Sequence, residues 1–82
     1  MNNKDKIKHF TSMLFSKYQK LTLTPEEVQE SIGITVNTLK AARLNGTGIP
    51  YVKLNGVARS KPLYSISTIA EEIVKREITT FN

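Results

Sequence analysis

The stretch from Thr24 to Gly46, TPEEVQESIGITVNTLKAARLNG, constrains this chain more than any other. Thr24 offers a hydroxyl to the first free N–H groups of a helix. Pro25 stands where a missing N–H costs nothing, and Glu27 closes a Thr-Pro-Glu-Glu capping box. Val28 and Ile32, four apart, give that helix one apolar stripe. Gly33 stops it, because glycine reaches positive φ without steric penalty. Ile34 fills the corner, Thr35 caps a second helix, Leu39 and Ala42 face inward along it, and Asn45-Gly46 ends it. The spacing predicts two short helices packed across a tight turn.

Two helices joined by a short glycine-containing turn are the outline of the helix-turn-helix. Away from its apolar side the second helix presents Asn37, Thr38, Lys40, Ala41 and Arg43. Amide, small and basic side chains are the types that read base edges and grip phosphates. An ordinary helical hairpin with a solvated outer face has the same outline, and the charge distribution favours the first reading. The chain carries 12 basic and 7 acidic residues, net +5. Between Ser31 and Ala70 stand Lys40, Arg43, Lys53, Arg59 and Lys61 and no acid. The acids flank that block: Asp5, Glu26, Glu27 and Glu30 before it, Glu71, Glu72 and Glu77 after it. A long block of one sign, covering the second helix and the chain beyond it, is the footprint of a polyanion-binding face.

The flanks supply the rest of a core. From about Asp5 to Lys20, Ile7, Phe10, Leu14 and Tyr18 fall on one helical stripe, which Met13 and Phe15 widen; residues 1–4 read as frayed. Leu21-Thr22-Leu23 is a short extended connector. After Gly46, Thr47-Gly48-Ile49-Pro50 is a loop, since the proline forces Ile49 out of the helical region. Tyr51 to Leu54 is rich in strand formers, and Asn55-Gly56 signals a type I′ hairpin turn. Val57 to Ser60 begins the return strand, Lys61-Pro62 interrupts it, and Leu63-Tyr64 resumes it; Pro62 demands an edge or bulged position. Ser67 or Thr68 caps a last helix, with Glu71 completing a box, Ile66 as a staple and Ile69, Ile73 and Ile78 as its stripe.

The expected class is therefore mostly α with a small β-hairpin (α+β), a winged helix-turn-helix with an extra N-terminal helix. Residues 1–22 form that helix and its connector, 23–78 the winged domain and 79–82 a tail. Without cysteine there is no disulfide framework or thiolate metal site, and His9 stands alone, so no metal or cofactor is expected. No apolar run approaches the roughly 20 residues that span a bilayer. The expected setting is cytoplasmic and nucleoid-associated. Catalysis is not expected: there is no glycine-rich phosphate loop, no supported nucleophile, and the carboxylates cluster at helix starts where caps explain them.

The run TPEEVQESIGITVNTLKAARLNGTGIPYVKLNG resembles the excisionase-type helix-turn-helix domains, relatives of the MerR-like winged group. Leu23-Thr24, Glu27-Val28, Gly33-Ile34-Thr35, Thr38-Leu39 and Gly48-Ile49-Pro50 occupy the family's motif positions, and Ser67-Thr68-Ile69 is similar to its Ser-Asp-Leu. The likeness covers residues 23 to about 75. It implies a DNA-binding protein of bacteria or mobile elements, a transcription regulator or recombination directionality factor. Its recognition helix would enter the major groove while a wing touches backbone or minor groove. This chain departs from the pattern at Asn37, Ala41 and Ala42, in a longer wing containing Pro62, and in its N-terminal helix.

The residues expected at DNA are chosen by their chemistry. Asn37 suits bidentate pairing with adenine, Lys40 or Arg43 guanine or phosphate, and Thr38 a thymine methyl or phosphate. Ala41 is the small side chain of that face. Thr35 is an N-cap whose backbone N–H points at phosphate. Lys53, Asn55, Arg59 and Lys61 lie on the hairpin, where the three cations hold backbone and Arg59 is the candidate for a narrow minor groove. One site of this size gives modest affinity, so a homodimer or cooperative oligomer on DNA is expected. Residues 5–20 are the candidate protein contact. The rival reading is an adaptor, antitoxin or inhibitor whose basic face meets an acidic protein.

Overall fold

The computed structural model describes residues 2–53 and 61–77. In chain order these form α1 (Asn3–Tyr18), β1 (Thr22–Leu23), α2 (Pro25–Ile32), α3 (Val36–Leu44), β2 (Val52–Lys53), β3 (Pro62–Ser65) and α4 (Ile66–Lys75). The class is α+β, mostly helical with one small antiparallel sheet of order β1-β3-β2.

The capped helix pair forms as its residues dictate. Glu27 N–H donates to Thr24 Oγ1 at 3.2 Å while Thr24 N–H donates to the Glu27 carboxylate at 2.9 Å, both halves of the box. Gly33 ends α2 at φ +79°, a left-handed conformation that a β-carbon would strain. Losing the Thr24 hydroxyl orphans an N–H in the first turn of α2. Thr24→Ala is expected to cost about 1 kcal/mol and lower the melting temperature by roughly 4–8 °C in far-UV circular dichroism.

Several expectations need correction or refinement. The N-terminus is capped rather than frayed: Asn2 accepts from Asp5 N–H at 2.8 Å, so α1 begins at Asn3, and it ends at Tyr18 with Gln19 as its C-cap in left-handed conformation at φ +57°. The connector before Thr24 is extended as expected and is also a strand, since Thr22 pairs with Ser65 and Leu23 with Tyr64. The hairpin register is wider than a two-residue Asn55-Gly56 turn would give. Such a turn sets Lys53 against Ala58, whereas Lys53 faces Pro62 and Val52 faces Leu63. The turn itself, with Asn55 and Arg59, lies outside the described residues. Finally, α4 starts before Ser67: Ser65 is its cap, accepting from Thr68 N–H at 3.1 Å, so β3 runs into α4 without a loop. Ile66 is the first residue of α4 rather than a staple before it, and its N–H donates to Leu21 O at 3.0 Å, carrying the β1–β3 pairing one residue further. Ile78 lies outside the described residues.

Pro62 sits in the central strand without breaking a ladder. β1 reaches only Ser65 and Tyr64, so on that side Pro62 has no strand partner and its missing N–H leaves no gap. The core gathers Leu14, Leu23, Val28, Leu39, Ile49, Tyr64, Ile66, Ile69 and Ala70, with Ile7, Phe10, Tyr18, Ile32, Ile34 and Ile73 packed against it. Thus α1 lays its stripe along α4 and joins the same core as the helix pair. Met13 and Phe15 do not widen that buried stripe; both are exposed.

Where α1 meets α2, Tyr18 OH donates to the Glu30 carboxylate at 2.7 Å. Burial, followed by that hydrogen bond and the negative charges of Glu30 and Glu27, pushes the Tyr18 phenol from 10.0 to about 12. The reciprocal hydrogen bond from Tyr18, with Lys17, holds Glu30 below the usual carboxylate range. Burial would raise Glu27, but Lys20 and the Thr24 hydrogen bonds outweigh it and lower the group. For Tyr18 the stabilisation belongs to the protonated form. It is present in full below pH 10 and lost as pH rises through about 12. Ultraviolet titration should show one tyrosine ionising near that value, and Tyr18→Phe should remove that component.

Candidate nucleic-acid interface

Helix α3 is held at its start by two side chains. Thr35 Oγ1 accepts from Thr38 N–H at 3.1 Å and donates to Thr38 Oγ1 at 2.8 Å. Gln29 Oε1 accepts from Val36 N–H at 2.9 Å, bracing α2 against α3 across the turn. Two of the free N–H groups at the start of α3 are therefore already occupied. Thr35 is the N-cap expected from the sequence, and the Thr38 hydroxyl is engaged with it.

One residue of α3, Leu39, is buried. Asn37, Lys40 and Ala41 are all exposed, and their i, i+3, i+4 spacing puts them on one stripe. Leu44 continues that stripe at i+7 and is 78% exposed. Sequence reasoning did not assign Leu44, although counting seven from Asn37 would have found it. A stripe of amide, ammonium, methyl and isobutyl groups offers donors, an acceptor and apolar surface in one row. Those are the functions that distinguish base pairs in a major groove.

Arg43 lies elsewhere. Its Nη1 donates to Tyr64 OH at 2.7 Å, and its guanidinium carbon stands 5.7 Å from the centre of the Tyr51 ring. The Tyr51 and Tyr64 rings are 6.2 Å apart at 50°. Arg43 thereby ties the last turn of α3 to the sheet, a role its spacing alone did not indicate. Lys53 lies half-buried in β2 opposite Pro62, and Lys61 is exposed immediately before β3. Both flank the connection that holds Asn55 and Arg59, which are outside the described residues.

The electrostatics separate into two regions. Ion pairs join Lys6 to Glu77, Lys17 to Glu30, Lys20 to Glu27, and both Lys75 and Arg76 to Glu72. Each is a partly exposed pair, so their weight lies in where charge is neutralised rather than in stability. Four of the seven acids are consumed by cations of α1, the chain after it and the end of α4. Lys40, Arg43 and Lys61 enter none of these pairs. Positive potential is left on the part of the chain that carries the α3 stripe.

Among the described residues no His, Asp and Glu side chains converge as a metal site requires, and no helix is long and apolar enough to cross a membrane. No family model, curated protein or solved structure matches the chain.

Proposed function

We propose that the chain is a sequence-specific double-stranded DNA-binding protein built as a winged helix-turn-helix. In this reading α3 enters the major groove with Asn37, Lys40, Ala41 and Leu44 against base edges. The β2–β3 hairpin, through Lys53, Arg59 and Lys61, holds the backbone or adjacent minor groove. It acts as a transcription regulator or an excisionase-like directionality factor, as the resemblance to that family implies, and works near the nucleoid. It needs no cofactor and performs no chemistry. Occupancy by homodimers or cooperative arrays supplies the affinity one small module lacks.

What carries the reading is the exposed α3 stripe, braced by Gln29 and Thr35 and set in a block of cations without an acid. Positioned side chains on a rigid helix suit base recognition, where misplacement by an ångström loses the contact. Thr38 belongs to the cap more than to the base-reading stripe, since its hydroxyl is shared with Thr35.

Binding to random duplex against salt tests the electrostatic half. On random duplex, where Lys40 has no preferred base to meet, the five cations of the block sit on phosphates and log K should fall with log salt at a slope of about −4.5, roughly −0.9 for each phosphate. A slope near zero, with tight binding to an acidic protein instead, would move the basic face to the adaptor reading.

A further inference from the structure

The last turn of α3 and the loop after it enclose a groove of about 370 Å³ lined by Arg43, Thr47, Gly48 and Tyr51 among others. Its shape is fixed by the loop. Gly48 adopts φ +85°, and a β-carbon there would lie 2.6 Å from the Ala42 β-carbon, so the chain can press onto α3 only because this residue is glycine. Three of the carbonyls in the last turn of α3 are hydrogen-bonded by the cap and the loop. Asn45 N–H goes to Ala41 O at 3.0 Å, Thr47 N–H to Ala42 O at 2.8 Å and Gly46 N–H to Arg43 O at 3.2 Å.

Arg43 is fixed in this groove rather than free to swing. Its acceptor, the Tyr64 hydroxyl, belongs to a side chain only 1% exposed, and the Tyr51 ring flanks the guanidinium. That hydrogen bond uses one of the five guanidinium N–H groups. The Thr47 hydroxyl lies 3.5 Å from Ala42 O, a contact at the edge of hydrogen bonding that leaves it able to donate elsewhere. Tyr51 is 39% exposed. A planar cation with spare donors, the hydroxyl-bearing side chains of Thr47 and Tyr51 lining the same groove, and no acid from residue 31 to residue 70 fit a tetrahedral phosphate.

We propose that this groove binds one phosphate of the DNA backbone, gripped by Arg43 with Thr47 and Tyr51, so that Arg43 sets the register of α3 and reads no base. The inference rests on the DNA-binding reading above and assigns one contact within it. Tyr64 acts as a positioning residue: its hydroxyl aims the guanidinium without touching DNA.

The test is a scan of the protein's preferred duplex with single neutral methylphosphonates, for the wild-type chain and for Arg43→Met/Tyr64→Phe. Removing both partners together leaves no buried hydroxyl unpaired, so the double variant should melt within a few degrees of wild type. In wild type, one backbone position in each site should lose about tenfold affinity when neutralised, the scale of a charge-assisted hydrogen bond. In the double variant that position should lose nothing further, the salt slope should shallow by about 0.9 and the selected base sequence should stay the same. Thr47→Ala should weaken binding severalfold with the same base preference. A relaxed preference at one base pair in the double variant would show that Arg43 reads a base and overturn the proposal. So would a scan in which no position couples to Arg43. Wild-type protein that binds no duplex overturns the DNA reading itself, and this inference with it, before any variant is made.

Discussion

Replacing Tyr64 by alanine is expected to remove about 3–5 kcal/mol of folding stability, the usual loss for deleting a fully buried aromatic ring. Tyr64 is 1% exposed and stands first by volume among the fully buried side chains of the described residues. It faces Leu23 across the sheet and accepts the Arg43 hydrogen bond, so one ring holds β1, β3 and the end of α3. A chain of 82 residues at about 0.05–0.15 kcal/mol per residue holds about 4–12 kcal/mol in total. Losing Tyr64 therefore takes roughly a quarter or more of it. Urea denaturation should show the transition midpoint falling steeply or the transition disappearing. Tyr64→Phe, which keeps the ring and drops the hydroxyl, should cost about 1–2 kcal/mol, because the Arg43 guanidinium is part-exposed and water can replace the lost acceptor. An alanine variant within about 1 kcal/mol of wild type would mean that the sheet and α3 are not joined through this residue.

The second large effect is on binding. Asn37→Ala/Lys40→Ala removes two polar groups from the exposed α3 stripe while leaving its buried Leu39 and its Thr35 cap intact. If each holds a base contact, the pair is worth at least about 2 kcal/mol, or about 30-fold in affinity for the preferred site. Affinity for random duplex should fall much less, by the one phosphate or base partner of Lys40. Melting should hardly change, since both side chains are solvent-exposed. Titration of labelled specific and random duplexes at fixed salt separates the two terms. An equal loss on both duplexes would place these residues on the backbone.

Much of this fold is legible where local chemistry decides it. The Thr24 box, Pro25, the Gly33 stop and the Thr35 cap each satisfy specific orphan groups through residues a few positions away, so sequence spacing alone locates them. The features that spacing misses are set by partners far along the chain. Thr22-Leu23 is a strand only because Tyr64 and Ser65 lie beside it, and two residues carry no periodicity of their own. Ser65 does not announce itself as a cap because it is also the end of a strand, where a hydroxyl normally signals nothing. Pro62 has the look of an interruption in sequence, whereas the shortness of β1 leaves it room in the central strand.

The candidate site divides in the same way. The stripe Asn37, Lys40, Ala41 comes from helical arithmetic, and the same count reaches Leu44. Arg43 reads as one more outward cation, because nothing local announces a hydrogen bond to a residue 21 positions later. The Gln29 brace on Val36 is equally silent in sequence, spanning two helices across a turn.

The claim that α3 reads DNA sequence is met most directly by selecting bound molecules from a random duplex library, with purified protein at about physiological salt. An enriched motif that the Asn37→Ala/Lys40→Ala variant fails to select is the expected result. An inverted repeat within it would mark a two-fold dimer and a direct repeat head-to-tail cooperation. A folded wild-type protein that enriches no sequence would contradict recognition by α3.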